Sequence, residues 1–321
     1  MRLLLLTAFL PAAAFAQTPT LEVMTYDSFV SEWGPGPQIE QAFEAECGCN
    51  VVFTAPGDAA AMLARLKLEG ARGNTDVVVG LDANLLAEAQ ATSLFAPHGE
   101  VPAVDLPVDW TDTTFMPFDW GWFGFVMNAD APQPHSFEEL AESNLKVVIQ
   151  DPRSSTPGLG LVMWVKAAYG DKAGAMWDRL ADNILTVTPG WSESYGLFTS
   201  GEADAVLSYT TSPAYHIMAE EDDTKTAPIF RDGHYLQVEV AARLASSDQP
   251  DLADSFLAFL LSDAAQQTIA TTNWMYPARP VELPEAFTAL PRPDKTLFLP
   301  PAEAAAERDA AMAEWQAALS R

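Results

Sequence analysis

The chain has 321 residues, of which 49% are hydrophobic and 19% are charged. This composition is typical of a globular protein and excludes a largely disordered one, and the length suffices for one large domain or two lobes. Acidic residues outnumber basic residues by 44 to 17, which gives a formal net charge of −27. Binding to nucleic acid or to anionic membranes needs clustered lysine and arginine, so this balance disfavours both functions, whereas it favours the steering of a cationic ligand.

The N-terminus has the pattern of a secretory signal peptide. Residues 1–16 place Arg2 before an apolar run, and Ala14-Phe15-Ala16 provides a small-x-small cleavage site. The apolar run is too short to span a bilayer, which takes about 20 helical residues. The sequence therefore predicts a mature chain that begins at Gln17, does not insert into a membrane and, in a Gram-negative cell, lies in the periplasm.

The first half of the chain alternates short β-branched runs with amphipathic stretches, the pattern of an α/β protein with a mainly parallel sheet. Strands are predicted at LEVMTY, NVVFTA and DVVVGL. Helices are predicted at PQIEQAFEAE, AAAMLARLKLEG and ANLLAEAQATSLF, and Asp58 stands at the cap position of the second of these.

The two cysteines of the chain, Cys47 and Cys49, stand between the first predicted helix and the second predicted strand. In an oxidising compartment a cysteine pair usually forms a disulfide. A bridge between positions two apart closes a very tight loop, which Gly48 would ease, so a disulfide and two free thiols are equal alternatives here. A metal site has little support, because zinc usually takes four ligands and no neighbouring cysteine or histidine supplies the others.

The second half begins with an aromatic, strand-like segment, FMPFDWGWFGFVMN, after which the α/β alternation starts anew with strands at KVVIQ, LTVTPG and AVLSYT. The later strand HYLQVEVAAR has few neighbours in sequence and is expected to pair with the aromatic segment. Two such crossings predict a hinge between two α/β lobes, with the ligand in the cleft between them. The predicted lobe 1 comprises residues 17–120 and 235–321, lobe 2 comprises residues 121–234, and the hinge crossings lie near residues 115–128 and 233–243.

Aromatic residues concentrate beside turn residues at the ends of predicted strands, as in PGWSES and TNWMYP. Each of them alone is more typical of packing than of ligand contact. Together, in an acidic protein, they suggest an aromatic cage for a cation or a flat heteroaromatic ring, because a cation over a ring face gains about 0.5–2 kcal/mol. The residues in question are Tyr26, Trp33, Trp191, Tyr195, Tyr209, Tyr215, Trp274 and Tyr276.

Polar residues precede two predicted helices. Ser154, Ser155 and Thr156 stand before Pro157; taken alone they favour an ordinary helix cap, and a site for an anion or a hydroxyl group at the helix N-terminus is the alternative. Asp58 has the same ambiguity, since it could cap its own helix or accept a hydrogen bond from a ligand. The sequence contains no GxSxG, HExxH, P-loop or GxGxxG motif, so it offers no signature of catalysis.

Several segments resemble the family of periplasmic thiamine-binding proteins of bacterial ABC import systems. They are TYDSFVSEWGPGP, DPRSSTPGLGL, PGWSESYGLF, LSYTTSPAYH, GHYLQVEVAAR and NWMYP, and the likeness covers essentially the whole chain. The resemblance implies a type II periplasmic-binding-protein fold that binds thiamine, thiamine monophosphate and thiamine diphosphate. It implies that these are transported ligands, with no cofactor, and that a membrane permease with its own ATPase subunits receives them.

The resemblance also implies which aromatic residues contact the ligand. Tyr26, Tyr215 and Trp274 match the aromatic residues that surround the thiazolium and pyrimidine region. Trp191 and Tyr209 match further ligand contacts.

Four polar or small positions and one further tryptophan complete the implied site, and no metal is implied. Ser155 and Thr156 match positions that hold the hydroxyl or phosphate end, and Asp58 and Ala59 match a loop contact. The family commonly has glycine where Ala59 stands, which puts in doubt any contact that needs a positive φ there. Trp33 is expected as a wall of the site or a neighbour of the phosphate.

Two other functions stay open at the level of sequence. Thiaminase I looks like the same bilobal fold, and a thiamine-cleaving enzyme of this kind would need Cys47 or Cys49 as a nucleophile in the cleft. A binder of another organic cation, such as a polyamine, would need several carboxylates in the cage, and the aromatic motifs carry few.

Overall fold

Strands and helices alternate along the part of the chain that the computed structural model describes, residues 18–320. The predicted signal peptide, residues 1–16, lies outside the described residues. The strands are β1 (Thr20–Met24), β2 (Asn50–Thr54), β3 (Val77–Asp82), β4 (Phe95–Ala96), β5 (Met116–Asn128), β6 (Val147–Gln150), β7 (Ile184–Thr188), β8 (Ala205–Tyr209), β9 (Lys225–Thr226), β10 (His234–Leu244), β11 (Tyr276–Pro277) and β12 (Thr296–Leu297). The helices are α1 (Gly36–Cys47), α2 (Ala59–Glu69), α3 (Leu86–Ala91), α4 (Phe137–Glu142), α5 (Thr156–Tyr169), α6 (Ala173–Leu180), α7 (Trp191–Thr199), α8 (Ser212–Ala219), α9 (Pro250–Leu260), α10 (Asp263–Thr268), α11 (Glu285–Thr288) and α12 (Pro301–Leu319). Within residues 18–320, no helix has both the length and the apolar character needed to cross a membrane.

The hydrophobic pattern explains why these elements form. Ile39 and Phe43 form the buried face of α1, and Pro37 stands in its first turn. Gly48 ends the helix with a φ of +62°, a left-handed conformation that glycine adopts without strain. Every residue of β3 is buried, as expected for a strand that is covered on both faces.

A mixed sheet runs through the molecule in the order β2-β1-β3-β10-β5-β8-β6-β7. Strand β1 is parallel to β2 and β3 on one side, and β6 is parallel to β7 and β8 on the other. The short strands β4 and β12 pair with β10, and β9 and β11 pair with β5. The sheet therefore contains two parallel groups that are joined through β10 and β5.

The long strands β5 and β10 pair with each other in antiparallel orientation, which confirms the expected pairing of the aromatic segment with the later strand. In β5, residues 116–122 pair with β10, and residues 123–127 pair with β8. In β10, residues 239–243 pair with β3. Each long strand thus spans from one parallel group toward the other, while the boundaries of the two lobes stay a prediction.

The C-terminal helix α12 packs against α5 and α6, and also against α3. Lys166 of α5 is buried and forms ion pairs with Glu307 and Glu314 of α12, while Arg308 of α12 pairs with Glu88 of α3. The predicted division assigned all of residues 235–321 to lobe 1, but α5 and α6 lie within the range assigned to lobe 2. The C-terminal helix is therefore attached to elements of both predicted lobes.

Cys47 and Cys49 form a disulfide, with their Cα atoms 5.2 Å apart. The intervening Gly48 provides the left-handed turn that brings the two side chains together. Of the two alternatives that the sequence left open, the structure has the disulfide.

Candidate functional site

A cavity of about 520 Å³ lies beyond the carboxyl ends of strands from both parallel groups. Tyr26 and Asp58, which line it, follow β1 and β2. Thr156, Trp191 and Ser212, which also line it, follow β6, β7 and β8 and stand in the first turns of α5, α7 and α8. Parallel strands carry their ligands at their carboxyl ends, so this is the position at which an α/β fold builds a binding site.

Aromatic side chains form much of the cavity wall. The indole of Trp191 stacks on Tyr195 with the ring centroids 4.6 Å apart, and Trp33 approaches Trp191 to 6.0 Å. On another part of the wall, Tyr215 meets Trp274 edge to face at 5.5 Å. Among the described residues, seven aromatic side chains line the cavity: Tyr26, Trp33, Trp191, Tyr195, Tyr209, Tyr215 and Trp274.

Hydrogen bonds and backbone conformation fix the orientations of three of these rings. Trp191 donates its indole N–H to Ser208 Oγ at 2.9 Å, and the Tyr215 hydroxyl donates to Glu220 Oε1 at 2.7 Å. Trp274 follows the π-helical turn Ile269–Asn273 with a φ of +57°, a left-handed conformation that is unusual for a bulky residue. The side chains are therefore held in place by contacts within the protein, as a binding site with little reorganisation on ligand entry requires.

A polar network lies beneath the aromatic wall. Tyr26 donates its hydroxyl proton to Glu239 Oε2 at 3.0 Å, and Tyr209 donates to Gln237 Oε1 at 2.6 Å. Asn273 donates from Nδ2 to the Tyr26 oxygen at 2.9 Å. Burial, together with the nearby carboxyl of Glu239, raises the pKa of both tyrosines above the usual range, so both hydroxyls stay protonated donors.

The helix starts of α2 and α5 are joined by their side chains. Asp58 and Ser155 occupy the N-cap positions, yet neither side chain caps its own helix. Instead Ser155 donates its hydroxyl proton to Asp58 Oδ2 at 2.6 Å, and the backbone N–H of Trp191 also bonds to Asp58. Burial raises the pKa of Asp58 to about 6; the Ser155 hydrogen bond opposes that rise, and the nearby Asp27 and Glu193 add to it.

Eight of the ten residues that the sequence proposed for the site line this cavity: Tyr26, Trp33, Asp58, Thr156, Trp191, Tyr209, Tyr215 and Trp274. Ser155 and Ala59 are fully buried and do not line it. Ala59 is the first residue of α2 and is not among the described residues with positive φ, so alanine can replace glycine there without backbone strain. The proposed ligand contacts of these residues stay a prediction.

Several residues that line the cavity are not among those proposed from the sequence. Tyr195 is proposed from the sequence only as an aromatic residue beside turns, and Ser192, Glu239 and Asn273 are not proposed at all. Glu220 belongs to an acidic run, residues 220–223, that the sequence favours as a solvated loop, and in the structure it lines the cavity. Glu239 lies within β10, where alternating apolar and polar residues indicate a strand and give no sign of which polar residue faces a ligand. Tyr195 and Ser192 do have a sequence signal, since they share the segment PGWSES with Trp191 or follow it closely.

The comparison with known proteins identifies the family. The model of the bacterial extracellular solute-binding proteins matches residues 37–272. The "Thiamine-binding periplasmic protein" of Escherichia coli (strain K12) is 52% identical over 97% of this chain and 96% of its own length. The chain belongs to the bacterial extracellular solute-binding protein family.

Solved structures of this family have the same fold. A structure described as "Periplasmic thiamin binding protein" covers 98% of this chain and 100% of its own, with a TM-score of 0.93 and 51% identity. The "Ferric binding protein from Campylobacter jejuni" covers 93% of this chain and 99% of its own, with a TM-score of 0.76 at 19% identity, which shows the fold alone. These findings confirm the two-lobed type II periplasmic-binding-protein fold and the resemblance to periplasmic thiamine-binding proteins.

The charges of this solute-binding site favour a cation. The carboxyl groups of Asp58, Glu220 and Glu239 line the cavity, and none of its described lining residues is a lysine, arginine or histidine. Each aromatic ring adds the partial negative charge of its face. Chemically, the cavity can surround a flat or cationic group with rings and accept hydrogen bonds from its N–H or O–H groups.

The contacts in and around the cavity disfavour metal binding at His216 and nucleophilic catalysis by a cysteine. His216 lies within reach of Glu220 and Asp222, a group that could hold a metal ion. However, His216 bonds through Nδ1 to Glu220 at 2.6 Å and through Nε2 to the Tyr195 hydroxyl at 2.8 Å, so both ring nitrogens are committed within the protein. The disulfide ties up both cysteines, and neither lines the cavity, so neither is placed as the nucleophile that a thiamine-cleaving enzyme would need.

Proposed function

We propose that this protein binds thiamine, thiamine monophosphate and thiamine diphosphate in the cavity described above. The observation that carries the proposal is the lining itself: seven aromatic rings and three carboxyl groups with no basic side chain among the described residues. Thiamine carries a permanent positive charge on its thiazolium ring, together with an aminopyrimidine ring and a hydroxyethyl tail. The names of the relatives that cover nearly the whole chain favour this ligand among the cations that such a site could take.

The aromatic wall suits the two rings of thiamine. Tyr215 and Trp274 are the wall for the thiazolium cation, with Tyr26 below them, and Trp191 and Tyr209 extend the surface against which the pyrimidine packs. A positive charge over these ring faces gains about 0.5–2 kcal/mol per desolvated contact. Asp58 is an acceptor for an amine or hydroxyl group of the ligand.

The tail of the ligand fits the starts of the helices. Thr156, Ser192 and Ser212 line the cavity in the first turns of α5, α7 and α8. Hydroxyl groups and free backbone N–H groups at helix N-termini bind phosphate, which reconciles a phosphorylated ligand with an acidic protein. In this arrangement Ser155 acts through Asp58, and Trp33 closes the cavity from the solvent side.

The proposed role is that of the substrate-binding component of an ABC importer. The signal sequence directs the chain to the periplasm, closure of the two predicted lobes traps the ligand, and the closed form delivers it to the permease and its ATPase subunits. Thiamine and its phosphates are then cargo, with no cofactor and no chemical step. The relatives are named as binding proteins, which supports this role over that of an enzyme.

Calorimetric titration of refolded, ligand-free mature protein tests the proposal. Thiamine and both phosphates should bind at a ratio of one to one, and the ligand recovered afterwards should have an unchanged mass. Spermidine, which is a cation without aromatic rings, is the matched control and should give no heat of binding. Recovery of cleaved thiamine would show that the protein is an enzyme instead. No heat of binding with any of the three thiamine compounds would refute the proposal.

A further inference from the structure

Three carboxylic acids lie side by side in the middle of the sheet, on three neighbouring strands. Glu239 of β10 stands opposite Asp82 of β3 on one side and opposite Asp119 of β5 on the other. Asp82 and Asp119 are fully buried, and Glu239 is 6% exposed. Like charges that face each other across a sheet are destabilising, and burial adds the cost of removing each charge from water. Such a row cannot carry three full negative charges at low cost.

Glu239 and Asp119 are the members of this row that interact directly. The two side chains extend from directly paired positions of β10 and β5, and the negative charge of Asp119 opposes ionisation of Glu239. Asn273 donates from Nδ2 to Asp119 Oδ2 at 2.7 Å, and Gln237 donates from Nε2 to Glu239 Oε1 at 2.7 Å. Together with the Tyr26 hydroxyl, neutral donors hold the two carboxyl groups in place.

The titratable groups that face this pair are acids and phenols. They are Asp82 from β3, Tyr26 from the loop after β1 and Tyr209 from β8. Burial raises the pKa of Asp82 to about 7, while hydrogen bonds from the backbone of Asn84 and Leu85, a hydrogen bond with the Asn84 side chain and the charge of Arg308 of α12 oppose that rise. The charges around the pair therefore work against a second negative charge on it.

These surroundings set the protonation of the pair. Burial raises the pKa of Asp119, and burial together with the adjacent Asp119 raises the pKa of Glu239 well above its usual range. Two buried carboxyl groups on facing positions titrate as a unit, because the first negative charge opposes the second. Of the two residues, Glu239 lines the cavity, so the pair lies at the surface that a ligand touches.

We propose that Glu239 and Asp119 are the counter-charge of the binding cavity, sharing one proton while the cavity is empty and releasing it to solvent when a cationic ligand enters. The O–H bond of Glu239 breaks, the proton leaves to water, and the cavity gains one negative charge as the ligand brings one positive charge. This inference rests on the proposed function, which supplies a ligand with a fixed positive charge. It makes Glu239 of β10 a determinant of the preference for a cationic ring over a neutral ring of the same shape.

The sign of the pH dependence follows from this exchange. The empty pair binds a proton that the loaded pair lacks, so acid competes with the ligand. Between the pKa of the loaded pair and that of the empty pair, each unit of falling pH weakens binding by up to about tenfold. Above the pKa of the empty pair, the affinity no longer changes with pH.

The test is calorimetric titration with thiamine from about pH 6 to about pH 8.5, in two buffers with different enthalpies of protonation. Unphosphorylated thiamine is the probe, because a phosphate group itself titrates near pH 6. The difference between the buffers should correspond to the release of about 0.5–1 proton for each thiamine bound near neutral pH. An uncharged analogue, 3-deazathiamine, is the matched control and should bind more weakly with no proton release. Tight thiamine binding without proton release, or with proton uptake, would overturn the inference and leave the proposed function intact.

Variants identify the source of the proton. Glu239→Gln keeps the shape and hydrogen-bonding capacity of the side chain, and it should bind thiamine more weakly with no proton release and a flat pH profile. Asp119→Asn should also abolish the release, and it serves if the first variant does not fold. Asp58→Asn removes the other buried carboxyl of the cavity and should retain the release at about pH 8. Proton release that persists in Glu239→Gln and vanishes in Asp58→Asn would refute the assignment of the proton to the Glu239–Asp119 pair. Absence of thiamine binding by the wild-type protein at every pH would instead refute the proposed function.

Discussion

Replacing Trp274 by alanine removes one face of the proposed cation site. The indole ring lies edge to face with Tyr215 at 5.5 Å and is parallel to Phe287 at 6.4 Å, so its position is set by two aromatic neighbours. Losing a cation–π contact costs about 0.5–2 kcal/mol. Since 1.36 kcal/mol corresponds to a factor of ten, we expect Trp274→Ala to raise the Kd by about 2-fold to 30-fold. The loss should be the same for thiamine, its monophosphate and its diphosphate, because all three share the thiazolium ring.

Calorimetric titration of the variant with the three ligands measures this loss. Trp274→Phe is the matched control, because it keeps an aromatic face at the same position and should recover a large part of the affinity. Thermal unfolding without ligand separates lost binding from lost folding. A loss confined to the phosphorylated ligands, or a phenylalanine variant as weak as the alanine variant, would refute the assignment of Trp274 to the cation.

Three further predictions test other parts of the site. Thr156→Ala should weaken the two phosphates more than free thiamine, by about 0.5–1.5 kcal/mol, and equal losses in parallel titrations would contradict a role at the phosphate. Ser155→Ala should weaken all three ligands together, because it removes a hydrogen bond to Asp58 worth about 1.5–3 kcal/mol and raises the pKa of that carboxyl further; ligand-specific losses would show that Ser155 touches the phosphate directly. Replacing Cys47 and Cys49 by serine should lower the free energy of unfolding by only about 1–2 kcal/mol, as expected for a very short loop, and leave thiamine affinity unchanged. A changed thiamine affinity of this variant in calorimetry would contradict the prediction. So would a thiamine-cleaving activity that the wild-type protein has and this variant lacks, because it would show that the cysteines take part in the function.

The fold follows from the sequence wherever the hydrophobic period is regular. Helix α1 and strand β3 are examples, because helical spacing and a continuous apolar run leave one choice for each. The pairing of β5 with β10 was predictable because the later strand had no partner nearby in sequence. The place of α12 was not predictable. Its buried face consists mainly of Ala304, Ala311 and Ala318 with Trp315, and a face of small residues does not specify which helices it packs against.

Some residues of the site could likewise be predicted from the sequence, and others could not. Aromatic residues beside turn residues, such as Trp191 and Trp274, could be proposed because loops at strand ends converge on one edge of a sheet. The bond between Ser155 and Asp58 joins residues 97 positions apart, and both residues look like ordinary helix caps in the sequence. Glu239 looks like any polar residue of an alternating strand. Its importance arises from its two acidic neighbours in the sheet, which only the register of three strands brings together.

A crystal structure of the complex with thiamine monophosphate shows directly which groups surround the cation and which hold the phosphate. We expect the thiazolium ring within about 6 Å of the ring centroids of Tyr215 and Trp274, with the phosphate at the N-termini of α5, α7 and α8. Glu239 should lie on the side of the positive charge. A ligand bound elsewhere on the molecule, or bound in this cavity with its phosphate against the aromatic wall, would contradict the account.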